Sequence, residues 1–177
     1  MLYLIIGGCV IILIIIGIIL TLYYKNKYTF LYIRVNEAEN NLDILLQKKE
    51  EILLKINNLL EKKKIKDLPD IIKLKSKKLD HHTLYTELSN ITNDITKIID
   101  EIEDKIMDRN LQKLLDLLND NENDLRAAIK YYNDNATDIN YYAHRFPSNL
   151  IKYFSHYPDT ELYTISKRES FAILKNN

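Results

Sequence analysis

Residues 111–146 read LQKLLDLLNDNENDLRAAIKYYNDNATDINYYAHRF, and this stretch decides the fold. Leu111, Leu115, Leu118, Glu122, Leu125, Ile129, Tyr132, Ala136, Ile139, Ala143 and Phe146 recur at alternating steps of three and four. Ten of these eleven positions are uncharged, and the residues between them are mostly polar. On a helix they form one seam roughly 50 Å long at about 1.5 Å per residue, and no strand pattern accounts for them.

The same rhythm appears on both sides of other breaks. Upstream, Val35, Ala38, Leu42, Leu45, Ile52, Ile56 and Leu59 follow it, with Lys49 at the skipped slot. Leu84, Leu88, Ile91, Ile95, Ile98 and Ile102 repeat it. Breaks fall at Asp67–Leu68–Pro69, where proline suits a first helical turn, near Asp80–Thr83, near Asp108–Asn110, and at Phe146–Pro147, because the residue before proline avoids helix. The spacing predicts helices over about 28–65, 69–79, 84–107 and 110–146. All three glycines of the chain lie within its first 24 residues, so the body contains none. That removes tight glycine turns and favours an all-α fold: a long antiparallel bundle of about four helices, up-down-up-down, joined by short connections.

Residues 1–24 carry no charge, and all 50 charged side chains follow them. Fifteen Leu, Ile and Val residues lie between Leu2 and Leu22, enough for a helix about 30 Å long to cross a bilayer. Nothing basic precedes the run, which is longer than a cleavable signal's apolar core, so it is expected to remain as an anchor. Tyr3 at one end and Tyr23, Tyr24 and Tyr28 at the other suit the two interfaces. Lys25, Lys27 and Arg34 follow the run, which by the positive-inside rule puts the amino terminus outside and the body in the cytoplasm. The expected organisation is a transmembrane anchor over 1–24, a helical bundle over 25–146, and a tail over 147–177 that packs near the membrane end. The chain is then a single-pass protein of the cell membrane, touching the lipid bilayer through residues 2–22.

Composition excludes several classes of function. The 25 basic and 25 acidic residues balance, which argues against nucleic acid. A glycine-free body holds no phosphate loop or dinucleotide fingerprint. Cys9, the sole cysteine, lies in the apolar run, so no disulfide framework or cysteine zinc site exists. His81 and His82 are adjacent and splay on a helix, His144 and His156 have no metal spacing, and Ser148 has no nucleophile-elbow context. The expectation is a non-enzyme with no cofactor and no small-molecule substrate.

Arg34-Val35-Asn36-Glu37-Ala38, Leu42-Asp43 and Lys48-Lys49, with Glu122-Asn123, Tyr132-Asn133, Asn140 and Phe146-Pro147-Ser148-Asn149-Leu150, resemble the opening and closing signatures of the LemA family. The resemblance covers nearly the whole chain, the anchor included. It implies an N-terminally anchored helical protein without established enzymatic activity. The family's second Tyr-Asn is Ile139-Asn140 in this chain.

The residues singled out are structural or docking candidates: Lys49, Glu122, Glu37, Asn133, Asn140, Phe146, Pro147, Ser148 and Asn149. Lys49 and Glu122 are the charges that interrupt otherwise apolar seams. Pairing them across antiparallel first and fourth helices fixes a register that sets Val35 beside Ala136, brings Glu37 near Asn133, and returns Phe146–Asn149 to the membrane end. At that turn Phe146 is expected to plug the seam's last position and Ser148 and Asn149 to satisfy free helix carbonyls. Two functions fit. One is a membrane-tethered interaction or scaffold module that recruits a protein partner. The other is a structural coiled-coil element of a bacterial envelope or division apparatus, with seams shared between chains.

Overall fold

The computed structural model describes residues 1–65, 68–71, 79–106, 108–150 and 159–163, with the helical backbone alone at residues 2 and 102–106. It is all-α, with no strand among the described residues. Helix α1 is Leu2–Lys62, α2 is His81–Ile106 and α3 is Arg109–His144. Of the expected short helix over 69–79, residues 72–78 fall outside the described residues.

Helix α1 runs unbroken from the apolar segment into the body because no glycine or proline lies between Gly17 and Pro69. Its first part is long and apolar enough to cross a membrane, and none of that stretch is buried against protein. Within it the Thr21 hydroxyl donates to Gly17 O at 2.8 Å, which satisfies that hydroxyl in apolar surroundings. The helix closes on Lys64, whose φ of 64° is left-handed. Lys64 N–H reaches Glu61 O at 2.8 Å and Ile65 N–H reaches Leu60 O at 3.2 Å, the paired bonds of a Schellman ending.

Aspartates start the other two helices. Asp80 accepts from Thr83 N–H at 3.0 Å and from the Thr83 hydroxyl at 2.6 Å, so α2 begins at His81 rather than at residue 84. Asp108 accepts from Asn110 and Leu111 N–H at 2.9 and 2.8 Å, and its other oxygen takes Lys63 Nζ at 2.5 Å. These donors hold both carboxyls below the usual range: for Asp80 chiefly the Thr83 hydroxyl, for Asp108 chiefly the Lys63 ammonium.

The chain divides into two compact units, one of Met1–Ala38 with Tyr131–Leu162, the other of Glu39–Lys130 with Tyr163–Asn177. In the second unit α1 and α3 run antiparallel, with contacts pairing Leu45 with Asn121, Lys49 with Glu122 and Lys63 with Asp108. Its core is Leu42, Leu46, Leu53, Ile56 and Leu60 of α1, Leu88, Ile95 and Ile99 of α2, and Leu111, Leu118 and Leu125 of α3. In the first unit Tyr28, Leu31, Val35 and Ala38 of α1 are buried, as are Tyr132, Ala136, Ile139 and Ala143 of α3.

The seams differ from the expected ones in phase. Leu46 and Leu60 are buried where the pattern pointed to Leu45 and Leu59, and Tyr85 and Ile99 where it pointed to Leu84 and Ile98. Ile52 with Leu53 and Ile91 with Thr92 are buried side by side, so the inward stripe is wider than a strict three-four line and takes in neighbours of the expected positions. The seam of α3 also stops early. The helix ends at His144, so the helical phase no longer carries residue 146 to the seam face, and Phe146 is exposed rather than a plug; Ala143 is the last buried position.

Candidate functional site

Helix geometry carries Lys49 and Glu122 to facing positions in the second unit, where Lys49 Nζ lies 2.6 Å from Glu122 Oε1. The lysine side chain is 0% exposed and the glutamate 14%. The ammonium also stands 5.9 Å from the centre of the Tyr85 ring, so α2 supplies an aromatic face to the same charge. Asn121, fully buried beside this pair in sequence, donates from Nδ2 to Leu45 O at 3.3 Å. His81, at the start of α2, meets Asp43 and Glu39 of α1, while His82 stacks on Tyr163 at 3.9 Å.

In the first unit Asn140 is the centre of a second cluster. Its Nδ2 donates to Thr160 O at 2.7 Å and its Oδ1 accepts from Thr160 N–H at 2.9 Å. Both donor and acceptor of one amide are thus matched to one residue's backbone, which fixes the amide's orientation. Tyr132 OH donates to Glu161 O at 3.1 Å, and His144 Nε2 lies 2.9 Å from Asp159 Oδ1. The segment Asp159–Leu162 is therefore strapped along α3 mainly through its backbone. A shallow trough lies beside it, lined by Thr137, Asn140, Tyr141, His144, Arg145 and Leu162. Its chemically capable side chains are engaged: Asn140 by Thr160, His144 by Asp159, and Arg145 by the Tyr141 hydroxyl at 2.6 Å.

The remaining candidates are placed as follows. Glu37 is exposed on α1, and Asn133 is half-buried on α3. Pro147, half-buried, follows a cis peptide bond. Ser148 is buried, and its hydroxyl is shared between Tyr142 O and, at 2.7 Å, Arg145 O. Asn149 contributes its backbone N–H to Arg145 O at 2.9 Å while its side chain is exposed. Nearby, Tyr142 OH donates to Tyr24 O at 3.3 Å, and burial followed by the neighbouring Tyr24 and Tyr23 phenols pushes its hydroxyl up to about 12. Among the described residues no group of three or more His, Cys, Asp and Glu side chains is arranged to hold a metal ion.

Against known proteins, the sequence model of the LemA family matches residues 38–173. The chain belongs to the LemA family. No curated protein and no solved structure matches it. The LemA match begins at Ala38, beyond the apolar segment, so membership rests on the body of the chain. It takes in Lys49, Glu122, Asn133, Asn140 and Phe146–Asn149, whereas Glu37 precedes it.

Three features of this LemA chain were not readable beforehand. Asn121 sits one residue off the seam as read, yet it lies three residues after Leu118 and four before Leu125, and all three are buried. The Asp159–His144 and Thr160–Asn140 contacts join residues fifteen and twenty apart across a proline turn, where no periodicity operates. Tyr132 had a signal as a seam aromatic, whose hydroxyl needed a partner once buried.

Proposed function

We propose that the chain is a single-pass, membrane-tethered LemA-type interaction scaffold of the cell membrane, with its body in the cytoplasm and no reaction of its own. The observation that carries this reading is that the apolar seams are consumed inside one chain. Leu42, Leu46, Leu88, Ile95, Leu111 and Leu118 are buried without any second copy, and the charges that interrupt the seams meet each other. Among the described residues the seams are filled within the chain, and the exposed polar faces are the surface offered to a protein partner. The unburied apolar segment supports the tether, because about 20 aliphatic residues left open to water would be strongly disfavoured.

The test has two parts. The full-length chain in lipid nanodiscs should give the mass of one copy per disc by light scattering. A proximity-labelling enzyme fused to its carboxy terminus in the native cell should repeatedly mark a small set of proteins that an anchor fused to an unrelated helical body does not mark. Assembly into large oligomers, or a labelled set identical to that of the control anchor, would reject the reading.

A further inference from the structure

The end of α3 carries an unusual surface. Tyr141 is 61% exposed, Phe146 76% and Leu150 52%, three large apolar side chains within ten residues. Elsewhere on α3 the exposed large apolar residues, Leu117 and Tyr131, stand singly. Their level in the first unit is set by Tyr142, which bonds to the carbonyl of Tyr24, two residues past the end of the apolar run at Leu22. α3 runs antiparallel to α1 and ends at His144, two residues past Tyr142, so the turn that carries Phe146 leaves the helix beside the end of the apolar run.

Charge and backbone agree with this placement. Lys25, Lys27 and Arg34 lie on α1 with no acid between Leu22 and Asn36, and Arg145 lies on a stretch, 139–150, that also contains none. Asp159 comes beside the tip but is held by His144. The Arg145 guanidinium lies 5.2 Å from the Tyr141 ring, an amphipathic pair of the kind that suits an interface. Within the turn the Ser148 hydroxyl and the Asn149 and Leu150 N–H groups take the carbonyls of Tyr142, Arg145 and Pro147. Backbone that enters an apolar phase requires this.

We infer that the Arg145–Leu150 turn is a second membrane contact, which inserts Phe146 and Leu150 into the lipid interface beside the anchor while Lys25, Lys27 and Arg145 meet headgroup phosphates. The inference rests on the reading of residues 2–22 as a bilayer span. It holds the first unit to the membrane at two points rather than one.

The sequence contains no tryptophan, so a single indole reports its own surroundings. Full-length protein carrying Phe146→Trp, Leu13→Trp or Leu117→Trp is reconstituted in phosphatidylcholine–phosphatidylglycerol vesicles with brominated acyl chains. The Phe146→Trp emission should be blue-shifted and lose most of its intensity to bromine, Leu13→Trp likewise, and Leu117→Trp should be neither shifted nor quenched. Leu150→Trp serves as an independent repeat, and both positions are exposed, so neither change disturbs the core. Quenching at Leu13→Trp without quenching at Phe146→Trp and Leu150→Trp overturns the second contact and leaves the anchor standing. A blue shift at Phe146→Trp without bromine quenching assigns the patch to protein and also overturns it. Absence of quenching at all three positions removes the span itself and the inference with it.

Discussion

Lys49 Nζ and Glu122 Oε1 lie 2.6 Å apart, and the two ends of this contact are not equally covered: the lysine has no exposed surface, whereas the glutamate keeps 14%. Each partner occupies a position that an aliphatic side chain would fill in its helix. A charge buried so deeply contributes little net stability when paired, because desolvation offsets the attraction, but it penalises any register in which its partner is elsewhere. The pair therefore selects one alignment of α1 and α3 among those that the repeating apolar stripe would allow.

The unequal burial gives an ordered prediction. Glu122→Leu strands a fully buried ammonium and should cost about 3–5 kcal/mol. Lys49→Met leaves a carboxylate with a route to water and should cost less, on the order of 1–3 kcal/mol. Lys49→Met with Glu122→Leu should recover most of the loss. Chemical denaturation of the four proteins measures this, and singles without effect would remove the register argument.

The fold was legible because apolar spacing and the breaks at Pro69, Asp80 and Asp108 are local signals. Ten of the eleven positions in the 111–146 pattern do line the inside of α3, Glu122 among them through its partner; the exception is Phe146. What the spacing could not supply was phase. The inward stripe is wider than a strict three-four line, and within it burial falls on Leu46 rather than Leu45, on Ile99 rather than Ile98, and on Asn121 beside Glu122. The strap at Asp159–Leu162 was illegible for a different reason. Its bonds to Asn140 and Tyr132 go through its own backbone, which leaves no mark on side-chain choice.

That strap yields a second prediction. Asn140→Ala removes two hydrogen bonds to Thr160, each contributing about 0.5–1.5 kcal/mol. Hydrogen exchange at the Thr160 amide should accelerate roughly tenfold or more, and global stability should fall by no more than about 1–3 kcal/mol. Asn140→Asp keeps an acceptor for the Thr160 N–H but faces a carboxylate toward Thr160 O, so it should not restore protection. Unchanged exchange in Asn140→Ala would mean that the strap is held by other contacts.

Lys64 adopts a left-handed conformation at the end of α1 where helices commonly place glycine. A non-glycine residue there is strained by about 1–2 kcal/mol, and glycine returns part of that gain to the flexible unfolded chain. Lys64→Gly should therefore raise stability by about 0.5–1 kcal/mol, and Lys64→Val should lower it. A destabilising Lys64→Gly change, measured by urea unfolding, would contradict the Schellman ending.

Asp80 and Asp108 are both held below the ordinary carboxylate range in the folded chain. For a depressed acid the folded state binds its proton less readily than the unfolded one. The contribution is thus complete above the unfolded value of 3.8 and disappears as pH falls through the lower folded value. Stability should fall on acidification below about pH 4. Asp108→Asn keeps the cap but loses the Lys63 ion pair, so its deficit relative to the native chain should shrink toward pH 2. A deficit that is constant with pH would rule out this source.

The orientation of the body is the last expectation open to direct test. The uncharged residues 1–24 are followed by Lys25, Lys27 and Arg34, with no acid before Glu37 to confuse the count. Cations close to a span resist translocation, so the side that carries them stays in the cytoplasm. Asn58 is exposed on α1 well beyond the apolar run, and Cys9, the sole cysteine, lies inside that run. In a Cys9→Ser background, Asn58→Cys should resist a membrane-impermeant maleimide in intact cells and react fully once the membrane is opened. Reaction in intact cells would place the body outside. Moving the cations, by Lys25→Gln and Lys27→Gln together with lysines at positions 2 and 3, should then shift the labelled fraction in the direction that the charge argument requires.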